Sequence, residues 1–258
     1  MPMHAMSDAA LHRWTASDGV ELAYHELGEG RPVILMHGLF SDAQMNWIKF
    51  GHADRIASEG FRVIMPDLRA HGASGKPHDP ANYPPDILVR DLRDLVAHLG
   101  LDEFDLGGFS LGARTTIDAV GTGMRPRRAI LAGTGLDVLT NWERRCRFFS
   151  DAIERFDDAR RGDPHWLSIQ FMRTMKIDLV AAKLLLQGLG DHPSPEQALA
   201  SFTMPTLVVC GSEDDENGSA RDLASRLPNA EYKEIPGTHM SSVTKPELGE
   251  AIASFLAA

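Results

Sequence analysis

The chain has few cysteines, a deficit of positive charge and no long apolar run. Only Cys146 and Cys210 occur among its 258 residues, which offers neither a disulfide framework nor a cysteine-based metal cluster. Asp and Glu number 36 against 26 Lys and Arg, and the formal charge of −10 argues against nucleic acid or an anionic membrane surface as a partner. No stretch reaches the length needed to cross a bilayer.

The N-terminal residues 1–8 contain no basic segment followed by an apolar stretch, so we predict no signal peptide and a reduced, cytoplasmic environment. The length fits one large α/β domain, or a domain with a sizeable insertion, and suffices to bury a full core. A hydrophobic content of 43% and a charged content of 24% are typical of a globular protein.

Continuous apolar runs alternate with helix-like segments along most of the chain. The runs are 32–36, 61–65, 128–132 and 206–210, and the helical segments are 47–58, 85–99, 111–121, 220–227 and 247–256. Continuous runs are typical of parallel strands buried on both faces. The alternation predicts a doubly wound, mostly parallel α/β sheet with helices on both faces. A hairpin around Asp18-Gly19 would add antiparallel strands at one edge.

One interval, 136–201, interrupts this alternation. It contains only helical stretches, at 142–156, 166–175 and 178–187, and Pro193-Ser194-Pro195 marks its end. Ordinary crossover helices are the alternative, but a single crossover needs far fewer residues. We therefore predict a core of residues 1–135 and 202–258 and a helical cap, or lid, of residues 136–201.

The segment Gly108-x-Ser110-x-Gly112 lies between a strand-like run, 103–106, and a helical run, 113–120. A serine on a tight strand-to-helix turn is forced into strained backbone angles that expose its Oγ, and the glycines avoid collisions with neighbouring elements. The bare pattern also arises by chance. The prediction of a nucleophile at Ser110 therefore depends on finding a base and an acid in the right order.

The histidines downstream of Ser110 are His165, His192 and His239. The first two fall in the predicted lid, whereas His239 follows a strand-like run, 230–235, and a short loop. A C-terminal strand would deliver it to the carboxyl edge of the sheet, as the chain order Ser, Asp or Glu, His requires. We predict that His239 is the base, although an isolated loop histidine is usually only solvated.

The acid should leave the strand 206–210 at its carboxyl end, where residues 213–216 supply four carboxylates. Spacing favours Asp214, three residues after Gly211, with Asp215 as the alternative. The acid must point inward to orient the imidazole and stabilise its charged form. The other carboxylates would solubilise the loop or favour the start of the next helix.

Two backbone N–H groups are expected to bind the oxyanion. One belongs to Leu111, directly after the serine, and the other to the loop after the first central strand, with Leu39 favoured and Phe40 as the alternative. His37 precedes this glycine turn and is predicted to hydrogen-bond the loop rather than act as a base. The cluster Asp67, Arg69 and His71 is likewise predicted to be a self-bonded loop, since the chain has no metal-ligand spacing.

Five ordered elements of the chain resemble the α/β-hydrolase superfamily over essentially its whole length. They are His37-Gly38, Asp67-x-Arg69-x-His71-Gly72-x-Ser74, Gly108-x-Ser110-x-Gly112, a carboxylate after Gly211, and Pro236-Gly237-Thr238-His239. The resemblance implies an eight-stranded sheet, a helical cap after the sixth strand and a triad of Ser110, His239 and Asp214. The chain looks most similar to small capped serine esterases.

The chain departs from the motifs of several other branches of the superfamily, and these departures narrow the subclass that it resembles. Haloalkane dehalogenases and epoxide hydrolases place an aspartate where this chain has Ser110. The loop after His37-Gly38 also lacks the glycine-rich continuation of carbon–carbon bond hydrolases and of hormone-sensitive-lipase-like esterases. The acid loop departs from the common Asp-x-x-x-Pro form, which leaves Asp214 and Asp215 open.

The sequence therefore predicts a hydrolase of carboxylic esters with small or medium acyl or alcohol groups, working through an acyl-enzyme without cofactor or metal. The expected partner is a small-molecule ester, and the oligomeric state stays open. Apolar side chains that would line the pocket, or only pack, are Leu39, Phe40, Phe109, Trp142, Trp166, Phe171, Met172 and Met175. The alternatives are a perhydrolase or acyltransferase with the same triad, or a triad-retaining ligand receptor in signalling.

Overall fold

Eight strands form a single sheet in the computed structural model, which describes residues 9–191 and 196–258. They are β1 (Ala10–Thr15), β2 (Glu21–Leu27), β3 (Arg31–Met36), β4 (Phe61–Asp67), β5 (Asp105–Phe109), β6 (Ala129–Ala132), β7 (Thr206–Gly211) and β8 (Ala230–Ile235). Their order across the sheet is β1-β2-β4-β3-β5-β6-β7-β8. The pairs β1·β2 and β2·β4 are antiparallel and the other five are parallel, which confirms the predicted fold class.

Helices connect these strands. The α-helices of the described residues are α1 (His52–Ala57), α2 (Ile87–His98), α3 (Leu111–Gly121), α4 (Trp142–Glu154), α5 (Trp166–Thr174), α6 (Leu179–Asp191), α7 (Ala220–Arg226), α8 (His239–Ser242) and α9 (Pro246–Ala257). Among these residues no helix is long and apolar enough to pass through a membrane. The expectations for residues 1–8, His192 and Pro193-Ser194-Pro195 lie outside the described residues.

Two sequence-based boundaries were wrong. The helix predicted at 47–58 is divided into a π-helical turn, Gln44–Ile48, and α1, because Gly51 between them adopts φ +77°. The strand predicted at 103–106 is β5, which continues through Gly107-Gly108 up to Ser110. A Cβ at Gly107 would lie 2.5 Å from Ile130 Cβ, so the glycine here permits close packing between strands rather than ending the strand.

The central strands are buried on both faces, as their continuous apolar runs indicate. On β3, Ile34 and Met36 face one hydrophobic cluster, which includes residues of α2, α3 and α7. Val33 and Leu35 face the other cluster, which includes residues of α1 and α9. The sheet is therefore the middle layer of three, and its carboxyl edge is where the connecting loops gather.

Between β6 and β7 the described chain is helical. It contains α4, α5, α6 and two 3₁₀ segments, Leu136–Leu139 and Glu196–Ser201. Helix α4 packs against both α5 and α6, so the three helices form a layer of their own. The division of the chain at residues 135 and 201 stays a prediction.

The loop after β4 is held by its own polar side chains. Asp67 accepts N–H bonds from Ala43 (2.8 Å) and Ala73 (2.7 Å). The guanidinium of Arg69 makes a two-pronged ion pair with Asp91, at 2.9 and 2.7 Å. Such paired geometry compensates the buried charges of both side chains. The loop thereby provides a rigid wall behind the region where β3 and β5 end.

Candidate active site

Ser110 joins β5 to α3 in a backbone conformation that L-residues rarely adopt, with φ 52° and ψ −106°. Its N–H donates to the Ala132 carbonyl oxygen at the end of β6 (2.8 Å), and its own carbonyl accepts from Arg114 N–H in α3 (3.0 Å). These two bonds hold the strained turn from both sides. The side chain is left half-buried at the carboxyl edge of the sheet.

Two glycines around Ser110 allow the helix to start directly against the sheet. A Cβ on Gly112 would lie 2.3 Å from the Met36 carbonyl oxygen, and one on Gly108 would lie 2.5 Å from the Gly112 carbonyl carbon. Both distances are shorter than any side chain could tolerate. The sequence pattern Gly-x-Ser-x-Gly therefore reflects close backbone packing at this turn.

His239 and Asp214 reach Ser110 from two neighbouring strands. His239 begins α8 after β8, and its Nε2 lies 3.1 Å from Ser110 Oγ. Asp214 follows β7, and its Oδ2 lies 2.9 Å from His239 Nδ1. The structure thus brings together the three side chains predicted for a triad, in a continuous chain of hydrogen bonds.

The two candidate acids differ in where their side chains lie. Asp214 is buried, whereas Asp215 is exposed. Burial alone would raise the pKa of Asp214, but its contacts with His239, the Cys210 thiol (3.5 Å) and Glu216 N–H (3.3 Å) lower it below the ordinary value. Asp214 is therefore held as a carboxylate beside the imidazole, the state that stabilises a charged His239.

The loop after β3 lies against Ser110 and presents a backbone donor. A Cβ on Gly38 would be 3.5 Å from Ser110 Cβ, so this loop approaches the serine closely. Among the described residues, neither Leu39 N–H nor Leu111 N–H has a hydrogen-bond partner, whereas Phe40 N–H donates to His71 Nε2 (3.0 Å). The geometry favours Leu39 over Phe40 as the donor that pairs with Leu111.

His37 and His71 are buried neutral groups that shape this loop. Leu68 N–H donates to His37 Nε2 (2.9 Å), so His37 Nδ1–H donates to the Gly38 carbonyl oxygen (2.7 Å). In the same way His71 accepts from Phe40 and donates from Nδ1 to the Arg69 carbonyl oxygen (2.9 Å). Burial lowers the pKa of His37 to about 4 and of His71 to about 3. With both ring nitrogens occupied, His37 has a structural place in the loop.

A cavity of about 450 Å³ opens above Ser110 and His239. Its remaining lining residues are Gly38, Leu39, Phe40, Ser41, Met45, Asn46, Phe50, Phe109, Trp142, Arg145, Phe149, Leu167, Ser168, Phe171, Glu216, Met240, Val243 and Thr244. Of the predicted pocket residues, Leu39, Phe40, Phe109, Trp142 and Phe171 are among them. The wall is mostly apolar, with a few polar groups.

Three candidate pocket residues, Trp166, Met172 and Met175, are not among the residues that line this cavity, which leaves packing, the alternative given for them. Helix α5 turns a different face to it, with Leu167 and Phe171 one turn apart, while Met172 packs fully buried in the core. The charged side chains of Arg145 and Glu216 also line the cavity, which was not predicted from the sequence. The spacing of positions 142, 145 and 149 on one helical face was the available signal.

Comparisons with known proteins agree with the fold. A family model described as the alpha/beta hydrolase fold matches residues 31–122. A putative non-heme chloroperoxidase of Synechocystis sp. is 34% identical, with 84% of this chain and 87% of that protein aligned. An epoxide hydrolase of Caballeronia sordidicola is 32% identical, covering 93% of this chain and 64% of that protein. A thermophilic esterase structure from Thermogutta terrifontis is 28% identical, covers 96% and 98% of the two chains, and has a TM-score of 0.72.

The eight-stranded sheet and the serine turn at its carboxyl edge, together with these similarities, define the class. The chain belongs to the α/β-hydrolase family, and it is a hydrolase. The three similar proteins carry the names of three different activities. The reaction of this chain must therefore follow from its own residues.

We expect the free energy of unfolding to decrease by about 2 kcal/mol for each of His37 and His71 between pH 7.5 and 5.0. Their folded pKa values lie below the ordinary 6.5, so the unfolded chain binds more protons in this range. The stabilisation is complete above pH 6.5 and is lost as the pH falls towards the folded values. Urea unfolding at a series of pH values measures it.

The matched variants are His71→Gln and His12→Gln, because His71 is buried and His12 is exposed. A glutamine at position 71 can accept and donate in the same places without titrating, so His71→Gln should reduce the loss of unfolding free energy between pH 7.5 and 5.0 by about 2 kcal/mol. His12→Gln should leave it unchanged. An unaltered pH dependence in His71→Gln would contradict the assignment of this stabilisation to His71.

Proposed function

We propose that this protein is a serine carboxylesterase that cleaves esters with small or medium acyl or alcohol groups. The observation that carries the proposal is the hydrogen-bonded series Ser110–His239–Asp214, which opens into a mostly apolar cavity. The backbone N–H groups of Leu39 and Leu111 have no hydrogen-bond partner in the part of the chain that the structure describes. A nucleophile, an oriented base and oxyanion donors are the parts that acyl transfer requires.

In the first half-reaction, Ser110 Oγ attacks the ester carbonyl carbon while its proton passes to His239 Nε2. Asp214 accepts the Nδ1–H bond, which keeps the imidazole in the productive tautomer and stabilises its positive charge. The tetrahedral oxygen carries a negative charge, and the N–H groups of Leu39 and Leu111 bind it. His239 then protonates the leaving alkoxide, and the acyl group remains on Ser110.

In the second half-reaction, water takes the place of the alcohol. His239 removes a proton from water, the resulting hydroxide attacks the acyl carbon, and the carboxylic acid leaves as the proton returns to Ser110 Oγ. The oxyanion donors act in both halves, since both pass through a tetrahedral intermediate. Each such donor contributes roughly 3–4 kcal/mol to catalysis in comparable enzymes.

The cavity supports the proposed substrate size. Its volume of about 450 Å³ lies within the range of small-molecule sites. Phe40, Trp142 and Phe149 give it an apolar wall, and the exposed side chains of Leu167 (79%) and Met240 (50%) also line it. These groups would bury the hydrocarbon part of an ester.

The first test removes the nucleophile. We expect Ser110→Ala to fold normally and to lose at least 10⁴-fold in kcat with p-nitrophenyl esters of two to eight acyl carbons, since no other group takes over the attack. The exposed Ser58→Ala is the control and should keep wild-type rates. An esterase activity that survives in Ser110→Ala would refute the proposal.

The second test separates the two acids. Asp214→Asn should lose roughly 10³- to 10⁴-fold in kcat, because an amide favours the wrong imidazole tautomer. Asp215→Asn, one residue along on the exposed side of the same loop, should stay within about twofold of wild type. Equal losses in both variants would show that Asp214 is not the acid.

A second candidate function is perhydrolysis, in which hydrogen peroxide rather than water captures the acyl-enzyme. The similarity to a protein named putative non-heme chloroperoxidase favours it. The residues would act as in hydrolysis, with His239 deprotonating the peroxide and a peracid leaving from Ser110. The two functions differ only in the acceptor that reaches the acyl carbon.

Product analysis distinguishes the two acceptors. Ethyl acetate is the acyl donor, and hydrogen peroxide at up to about 10 mM competes with bulk water for the acyl-enzyme. We expect acetate to be the main product. The Ser110→Ala variant supplies the background of uncatalysed peracid formation. Peracetic acid exceeding acetate under these conditions would favour the perhydrolase.

A further inference from the structure

Besides the imidazole of His239, the cavity contains one guanidinium and no lysine among the lining residues that the structure describes, and the guanidinium belongs to Arg145 of α4. Trp142, Arg145 and Phe149 follow one another at intervals of three and four residues, so one face of α4 forms this wall. The Arg145 guanidinium carbon lies 5.6 Å from the centre of the Phe149 ring. An arginine in a largely apolar wall above the candidate nucleophile needs a partner of opposite charge, because an unpaired charge is costly to bury.

The hydrogen-bonding capacity of Arg145 is mostly unused. Its Nη1 donates to the Glu216 carbonyl oxygen at 2.6 Å, while Nη2 lies 3.7 Å from the nearer carboxylate oxygen of Glu216, which is too long for a hydrogen bond. Its buried Nε–H has no partner among the described residues. A guanidinium has five N–H donors, and among the described residues this one uses a single donor in a hydrogen bond.

The positive charge of Arg145 is incompletely compensated. Burial lowers its pKa below the ordinary value, although the carboxylates of Glu216 and Asp214 act to raise it. The Arg145 side chain is 17% exposed, but that of Glu216 is 52% exposed, and Asp214 is already hydrogen-bonded to His239. A half-exposed ion pair without a hydrogen bond stabilises the charge only weakly, because water screens it. An anion inside the cavity would compensate the charge better.

We propose that Arg145 binds a carboxylate of the substrate, so that the preferred esters carry a free carboxylate at the end remote from the scissile bond. This inference rests on the proposed esterase function, since it names the substrate class of the same cavity. The planar guanidinium offers paired N–H donors that match the two oxygens of a carboxylate. Hemiesters of short dicarboxylic acids have this chemistry.

A single negative charge suits this position better than two. Glu216 and Asp214 already place negative charge near Arg145, so a dianionic phosphate would meet more repulsion than a carboxylate does. The remaining wall is mostly apolar and would contact the hydrocarbon chain between the carboxylate and the ester. The length of that chain must match the separation of Arg145 and Ser110 across the cavity.

A purely structural place for Arg145 is the alternative. Its bond to the Glu216 carbonyl oxygen ties α4 to the loop that carries Asp214. Loss of that bond would disturb Asp214 and slow every substrate equally. Loss of a carboxylate-binding group would instead raise KM selectively for charged substrates.

The experiment compares monoethyl and diethyl esters of succinate, glutarate and adipate. We expect wild type to favour the monoethyl ester by at least tenfold in kcat/KM at the best chain length. Arg145→Met should raise KM for that monoester by 10- to 100-fold and change KM for the diester by less than threefold. Arg147→Met is the control, because this substitution removes the same charge from α4. Arg147 is exposed and lies outside the cavity.

Equal losses of the monoester and diester activities in Arg145→Met would overturn the inference in favour of the structural alternative, as would a wild-type preference for the diester. If Arg145→Met does not fold, Arg145→Lys replaces it, and should show a smaller but still selective rise in KM because a single ammonium lacks the paired donors. Circular dichroism and thermal unfolding establish folding.

Binding without turnover separates this inference from the esterase proposal. Titration of glutarate into Ser110→Ala should give a measurable Kd that weakens at least tenfold in the Ser110→Ala, Arg145→Met double variant. Absence of glutarate binding would overturn the inference even if neutral esters are cleaved. Conversely, binding that depends on Arg145 would uphold it if ester cleavage proved independent of Ser110.

Discussion

The strained turn at Ser110 is the constraint on which the site depends. Its backbone conformation costs roughly 1–3 kcal/mol, and the surrounding packing must offset that cost. The bond from Ser110 N–H to Ala132 ties the turn to β6, and the contact between Gly112 and Met36 presses α3 against β3. The loop after β3, which carries Leu39, also lies against the serine, since a Cβ on Gly38 would be 3.5 Å from Ser110 Cβ. A small displacement of α3 would therefore alter the candidate nucleophile and the candidate oxyanion donors together.

The fold and the order of the site were largely predictable because they depend on local patterns. Continuous apolar runs identified the buried strands, and Ser110 and His239 stand at strand ends, where backbone geometry fixes their direction. Spacing favoured Asp214 but left Asp215 open, since adjacent residues on an irregular loop differ only in which side chain the fold buries. The sequence did not distinguish which face of α5 lines the cavity, for a related reason. Apolar residues cover more than one face of that helix, and only its packing against α4 selects Leu167 and Phe171 over Met172.

Polar groups that face the cavity were the hardest features to infer. Arg145 is one of several arginines in the segment 144–147, and its neighbours Arg144 and Arg147 are exposed. Sequence alone gives these three residues the same chemistry. Their difference arises from the helical rotation of about 100° per residue, which turns one of them towards Glu216 and the acid loop while the others meet water.

All the groups proposed to take part in bond making and breaking come from the core, whereas α4 and α5 supply only walls of the cavity. The part of the cavity wall that α4 and α5 form is thus separate in sequence from the groups proposed to react, although Leu39, Phe40 and Phe109 line the cavity as well. Mutations in α4 and α5 can therefore change the substrate specificity without changing the reaction, whereas mutations of the proposed reacting groups affect every substrate. This separation gives the architecture evolutionary plasticity. It also makes the helices between β6 and β7 the natural region to randomise when a new specificity is sought.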